Sequence, residues 1–182
     1  MVNLILYGDI KDKSITSKLC RVLSDYGGVL YFSDLKAVKY GDAKDIRFSI
    51  YECDNLCEIS IKDAIVIFKS KQTNDTKIKL CNRITVITES HNHNAITAIS
   101  NNDNACITCG MSSNDTVTIS SISDNSATIS IQRSIKDLNN NIIEPCEFTL
   151  KLKKFCDGYT LLSTACVLII SDCNTLDKDI II

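Results

Sequence analysis

Leu4-Ile5-Leu6-Tyr7 is a short apolar run that stops at Gly8, and a polar loop, Asp9-Ile10-Lys11-Asp12-Lys13-Ser14, separates it from residues with helical spacing. A buried strand, a glycine-started loop ending in Lys-Ser and a helix N-terminus follow one another as in phosphate-binding loops. In such loops backbone N–H groups and the positive end of the helix dipole face the anion, and a lysine reaches over it. This opening points to an α/β chain, but the loop departs from a working motif. Asp12 stands where a second glycine is wanted, and Asp9 adds another carboxylate. A Cβ and a negative charge both oppose the approach of a polyphosphate.

The rest of the chain reads as a continuation of that pattern. Ile15, Leu19, Val22, Leu23 and Tyr26 recur at helical spacing over 14–26, with Ser14 as the expected N-cap and Gly27-Gly28 as the stop. Short strands are expected at 29–32, 47–51, 64–68, 84–87 and 105–109, with a polar connection containing a weak strand or turn over 33–45 and a helix over 90–100. Ala64-Ile65-Val66-Ile67-Phe68 is apolar on both faces, as central strands of parallel sheets are. Beyond residue 115 the pattern changes: 116–122 and 127–132 alternate apolar and polar around Ser123-Asp124-Asn125-Ser126, a hairpin signature, and 147–153 is a third alternating strand. A buried helix closes the series over 158–171. The expected fold is a three-layer α/β domain with a mostly parallel central sheet, helices on both faces and a C-terminal antiparallel meander.

At 182 residues, with one proline and no low-complexity linker, the chain reads as a single domain, 1–182. A net charge of −2 and the lack of a dense Lys/Arg patch argue against nucleic acid or an anionic membrane as a partner. The basic stretch 148–154 fits a strand with a solvated lysine face. The N-terminus lacks the features of an export signal, and the run 161–170 is too short to span a bilayer, so a cytoplasmic location with reduced thiols is expected.

Ten cysteines raise the question of metal. Cys106-Ile107-Thr108-Cys109 is a C-x-x-C, Cys53 and Cys57 are four apart, and His91 and His93 lie between. However, Cys106 and Cys109 fall in a strand, where residues three apart point to opposite faces, and no second C-x-x-C follows. Buried free thiols are expected, and no metal ligands are assigned.

The order of elements with their local residues resembles the central ATP-binding domain of the Mur ligase family. Gly8 through Lys13-Ser14 stands in place of the family's G-T-x-G-K-[ST] loop. Ile50-Tyr51-Glu52-Cys53-Asp54-Asn55-Leu56 and the strand 64–68 are similar to its E-x-S-[SD]-x-x-L segment and following strand. Thr88-Glu89-Ser90 lies at the family's Asn-Asp-Asp segment, Cys109-Gly110 at a strand ending in glycine, and Tyr159-Thr160-Leu161-Leu162-Ser163-Thr164-Ala165-Cys166 at its H-N-x-x-N-A-x-A-A helix. The resemblance implies ATP and magnesium as cofactors, with Gly8, Lys13, Ser14 and Glu52 as the phosphate and magnesium residues.

The departures set the functional expectation. Of the family's glycine loop, magnesium-holding Glu, and D-H pair with a helix bearing a modified lysine, only Lys13, Ser14 and Glu52 remain as candidates. The connection 69–80 is too short for that helix and contains no histidine. The segments that would meet the nucleotide are substituted, and the flanking acceptor-binding domains have no counterpart. Acyl-phosphate chemistry needs that second metal site. The chain is therefore expected to have no ligase activity and no catalytic residues, and to serve as a binding or regulatory module with at most weak nucleotide or phosphate binding at 8–14.

Each candidate has a plainer role beside it: Lys13 solvated at a helix start, Ser14 a cap, Glu52 with Asp54 a cation site without catalysis. Glu52 at the carboxyl end of a central strand lies where open α/β sheets place ligands. His91, beside Glu89, is a base only if the fold brings it a cysteine, and Asp115 either lines the crevice or makes the turn into the meander. Two alternatives remain open. One is a slow nucleoside triphosphatase or phosphotransferase using Lys13, Ser14 and Glu52. The other is a protein-interaction domain pairing or self-associating through the meander edge and the tail Ile180-Ile181-Ile182.

Overall fold

The run at the N-terminus becomes the axis of the sheet. In the computed structural model, which describes residues 1–34, 36–71, 78–100, 104–153, 156–173 and 180–182, β1 spans Val2–Tyr7 and is followed by α1 (Ser14–Ser24) and β2 (Gly28–Ser33). Then come β3 (Lys36–Tyr40), β4 (Ile46–Cys53), β5 (Glu58–Ile59), β6 (Ala64–Phe68), β7 (Lys79–Leu80), β8 (Thr85–Glu89), α2 (His93–Ile99) and β9 (Ala105–Gly110). The C-terminal part contains β10 (Val117–Ile122), β11 (Ser126–Ile131), β12 (Ile135–Lys136), β13 (Ile142–Ile143), β14 (Cys146–Lys151), α3 (Gly158–Ile170) and β15 (Ile180–Ile181).

Among the described residues eleven strands form one sheet in the order β15-β14-β11-β10-β9-β8-β6-β1-β4-β2-β3. Pairing is parallel from β2 through β4, β1, β6, β8 and β9 to β10, and antiparallel at β2–β3, β10–β11 and β11–β14. The expected mostly parallel sheet with a late meander is therefore present. Its period of two splits β1 between two cores: Leu4 and Leu6 join the core under α1 and α3, whereas Ile5 and Tyr7 join a smaller one with Ile59, Ile78, Leu80 and Ala95 on the opposite face. α1 buries Ile15, Thr16, Leu19, Cys20, Val22 and Leu23. α3 is buried on all sides from Tyr159 to Ile170, as a helix apolar all round must be. The Arg47 guanidinium closes its C-terminal end by donating to Ser171 O and Asp172 O at 3.2 and 2.9 Å.

The weak strand or turn expected within 33–45 is a five-residue edge strand, β3, paired antiparallel with β2, with Lys36 and Lys39 in solvent and Val38 and Tyr40 against the core. Two expectations are corrected. Ser14 is the first helical residue of α1 rather than its cap. The tail is already paired: β15 runs parallel to β14, with Ile182 N–H donating to Lys151 O at 2.8 Å. The connection 69–80 falls in part on 72–77, outside the described residues.

Cys106 is exposed and Cys109 buried on β9, so the C-x-x-C is split between the two faces. Among the described residues no group of three or more His, Cys, Asp or Glu side chains could hold a metal, and no helix is long and apolar enough to cross a membrane.

Candidate functional site

β1 lies between β4 and β6, and the chain passes from β4 to β6 across it. The connection from β1 runs to β2 on one side and the connection from β4 runs back past β1 to β6 on the other, so the crevice outside the carboxyl ends of β1 and β4 is a topological switch point. Register brings the candidates to one rim: Leu6 pairs with Glu52 and Ile67, and Tyr7 with Cys53 and Phe68, so Gly8 and Lys69 leave adjacent strands at the same level.

Glu52 is the centre of the site. Its carboxylate is buried, and both oxygens are fully engaged. Oε1 accepts from Thr16 Oγ1 at 2.6 Å and from Lys69 Nζ at 2.5 Å; Oε2 accepts from Lys13 Nζ and the Tyr31 hydroxyl. Four donors on two oxygens exhaust what a carboxylate can accept. Burial alone would push the Glu52 pKa up, but the hydrogen bonds from Lys13, Lys69, Thr16 and Tyr31 outweigh it and hold it below the ordinary glutamate value. For Lys13, desolvation opposes the charge, yet the bonds to Glu52 and Tyr31 prevail and raise its pKa. Burial and the bond to Glu52 raise that of Tyr31.

Lys69 is the residue the sequence reading missed. It follows β6 directly, is 0% exposed, and carries its ammonium into the 8–14 loop, where the Asp9 and Asp12 carbonyls accept from it at 2.9 and 2.7 Å. A loop that holds phosphate turns N–H groups inward. This loop turns two carbonyls inward onto a lysine of the same chain. Its main chain is tied to the end of β4, where Gly8 N–H donates to Cys53 O at 3.0 Å, and to the segment after β6, where Asp9 N–H donates to Lys71 O at 2.9 Å; that segment is held in turn by the Asn92 side chain, which donates to Lys69 O at 3.1 Å. Gly8 has φ +141°, and a Cβ there would stand 2.7 Å from Lys71 O and 2.8 Å from Lys69 Cβ, so glycine alone fits. The signal available in sequence was position: Lys69 is the first residue past a central parallel strand, the same argument that singled out Glu52.

The anion position at the start of α1 is likewise taken from within. Asp12 Oδ1 accepts from Ser14 N–H at 3.0 Å and from Ser14 Oγ at 2.6 Å. Burial works against that charge, but the Ser14 bonds and the nearby Lys69 and Lys71 hold the Asp12 pKa below its usual value. Beside the ion pair opens an apolar hollow of about 350 Å³ whose walls include Ile5, Leu56, Ile59 and the stacked rings of Phe32 and Tyr51, 5.0 Å apart.

The remaining candidates gather elsewhere. His91, Glu89, Cys109 and Asp115 line a second crevice between the ends of β8 and β9 and the start of α3. Asp115 thus both makes the turn into the meander and lines a crevice. The fold does bring a cysteine near His91, but the Cys109 thiol is fully buried, 3.8 Å from Cys166 Sγ. That hydrogen bond, with burial, pushes its pKa well above the thiol range, the opposite of an activated nucleophile.

The fold is that of a Mur ligase-like domain, and it is the solved structures that establish this. The chain is similar to the MurF ligase from Thermotoga maritima in complex with ADP, at 14% identity and a TM-score of 0.56 over 98% of this chain and 47% of that one. It is similar to a murein peptide ligase from Psychrobacter arcticus 273-4, at 10% identity and a TM-score of 0.53 over 98% and 44%. It also resembles a UDP-N-acetylmuramoyl-L-alanyl-D-glutamate–2,6-diaminopimelate ligase, at 9% identity and a TM-score of 0.51 over 97% and 44%. The chain therefore spans less than half the length of these enzymes. No protein-family model and no curated protein matches its sequence.

Proposed function

We propose that this domain is a Mur ligase-like binding module without phosphoryl-transfer chemistry, in which the 8–14 loop takes nucleotide or phosphate at most weakly. The observation that carries the reading is the Lys69 ammonium seated against the Asp9 and Asp12 carbonyls and Glu52. Residues placed this way do not fit magnesium ATP. A phosphate would meet two carbonyl oxygens, and the helix start already has the Asp12 carboxylate as its anion. A magnesium ion would have to strip Glu52 of its donors and would lie beside the Lys13 and Lys69 ammonium groups. The phosphotransferase alternative asks Lys13, Ser14 and Glu52 to leave the partners they have.

The test is thermal unfolding of the wild-type chain and Lys13→Ala with ATP, ADP and GTP, each with and without magnesium. A ligand at a hundred times its dissociation constant stabilises by about 2.7 kcal/mol, a shift of a few degrees for a chain of this size. A flat response at millimolar nucleotide is expected. A magnesium-dependent rise that disappears in Lys13→Ala overturns the reading, as does phosphate release abolished by Glu52→Ala.

A further inference from the structure

Tyr51 carries a ring with one face stacked and the other open. Phe32 and Tyr51 are partners in the parallel register of β2 and β4. Their rings stand 5.0 Å apart with their planes 10° from parallel, close to the spacing of adjacent strands. β4 lies between β2 and β1, so the second face of Tyr51 is turned toward β1. The partner of Tyr51 on β1 is Ile5, which supplies no ring. The stack therefore stops after two members, and the hollow of about 350 Å³ begins at the position of a third.

The hollow is apolar and also open. Ile5 and Ile59, each 3% exposed, close it from below, whereas Tyr51 and Ile61 on its walls remain 37% and 40% exposed. Single exposed apolar residues are ordinary; two that share one concave space at the carboxyl ends of β2 and β4 stand where open α/β sheets take ligands. Charge narrows the class of ligand. Asp34 and Glu58 stand exposed at the rim, the latter 3.4 Å from Lys79 and bonded to the Ser60 hydroxyl at 3.0 Å. No Lys or Arg lines the hollow among the described residues. Glu52 also borders it, but its two oxygens are taken by four donors. An anion is repelled there, and a neutral or positively charged ring is not. The free face of Tyr51 narrows the shape, because a flat ring beside it gains an aromatic pair that a saturated body does not.

We infer that this hollow binds a small flat aromatic molecule without negative charge, its ring stacked on the free face of Tyr51 and its far edge against Leu56 and Ile61. The inference goes beyond the reading of the 8–14 loop. It needs neither nucleotide nor magnesium, so either reading can fail while the other stands.

The chain contains no tryptophan, so the emission of an added indole, excited where tyrosine does not absorb, is read without interference. The experiment titrates the full chain into indole, tryptamine and indole-3-acetate, and follows probe emission with the amide signals of Cys53 and Ile61. Indole and tryptamine emission shifts as the chain is added, and both amides move. Indole-3-acetate binds more weakly than tryptamine by about tenfold or more, and Asp34→Lys narrows that gap. Tyr51→Leu keeps an apolar side chain without the stacking face and weakens indole about threefold to tenfold, as loss of one aromatic pair does. Because Tyr51 also belongs to the stack on the sheet, a second variant is made at the rim: Ile61→Ser weakens indole too, by removing an apolar wall. The proposal is overturned if indole and tryptamine ignore the chain at about 1 mM, where a millimolar site would be half filled, or if they respond while both amides stay still. Cyclohexanol displacing indole as well as tryptamine does, indole-3-acetate binding as tightly as tryptamine, or indole binding undiminished in both variants overturns it too.

Discussion

Lys69 Nζ lies 2.5 Å from Glu52 Oε1, and neither side chain has appreciable contact with solvent. Removing one partner of a buried pair leaves the other charge uncompensated, which typically costs 3–5 kcal/mol. Glu52 would keep Lys13, Thr16 and Tyr31, so Lys69→Met is expected to destabilise the domain by about 3 kcal/mol, near the lower end of that range. Urea unfolding measures it; a midpoint indistinguishable from wild type would show that the pair contributes nothing to the fold.

The same carboxylate, with that of Asp12, is expected to contribute to the acid limb of stability. Glu52 and Asp12 have folded pKa values below their ordinary values of 4.5 and 3.8, so the unfolded chain binds more protons between the folded and unfolded values. Their contribution is complete above the unfolded values and is lost as pH falls through the folded ones. Lys13 has the opposite sense: its pKa is raised above 10.5, so its contribution is complete below that value and is lost as pH climbs through the folded one. Melting temperature should therefore hold level through the neutral range and fall at acid pH below about 4.5, and Glu52→Gln should flatten that fall. Equal slopes in both proteins would exclude Glu52 as a source of the acid sensitivity.

Two glycines should respond in opposite ways to the same substitution. Gly8→Ala places a Cβ against Lys71 O and Lys69 Cβ at a φ of +141°, and is expected to destabilise by at least about 2 kcal/mol, from backbone strain and a clash with main chain. Gly158 opens α3 at an ordinary φ, and its Cβ would meet only Ile119 Cδ1 at 3.6 Å. Gly158→Ala should be neutral or stabilise by up to about 1 kcal/mol through the unfolded chain. Chemical unfolding of both variants decides it, and a Gly8→Ala protein as stable as Gly158→Ala would refute the close approach of the loop to the segment after β6.

What could be read in the sequence follows from which interactions are local. β6 was found to the residue because Ala64-Ile65-Val66-Ile67-Phe68 is apolar on both faces, and α3 because its apolar run admits no other environment. β3 reads as no more than a weak strand or turn because, at the exposed edge, only Val38 and Tyr40 supply apolar alternation. Glu52 was placed correctly at a strand end, but its partners come from α1, β2, the 8–14 loop and the residue after β6. No periodicity brings those four together, so Lys69 read as part of a connection instead of the group that occupies the loop. Asp12 was recognised as an obstacle to phosphate, without the further point that it is the helix's own anion.

The outer edge of the meander offers the last prediction. β14 would be a free edge were it not for β15, which pairs beside Leu150 and Lys151, with Ile182 exchanging hydrogen bonds with Lys151 and Lys153 at 2.8 Å. Deleting residues 180–182 exposes those main-chain groups, and unpaired strand edges recruit other strands. The truncated chain should show an average mass that rises with concentration in light scattering, above that of the full chain at every concentration. Lys151 and Lys153 stand on that edge and repel a second copy across it, so association should strengthen with salt: at about 1 M the Debye length is near 3 Å, against roughly 10 Å at 0.1 M. Masses that superimpose for the two chains, at low and high salt alike, would mean that β15 protects nothing.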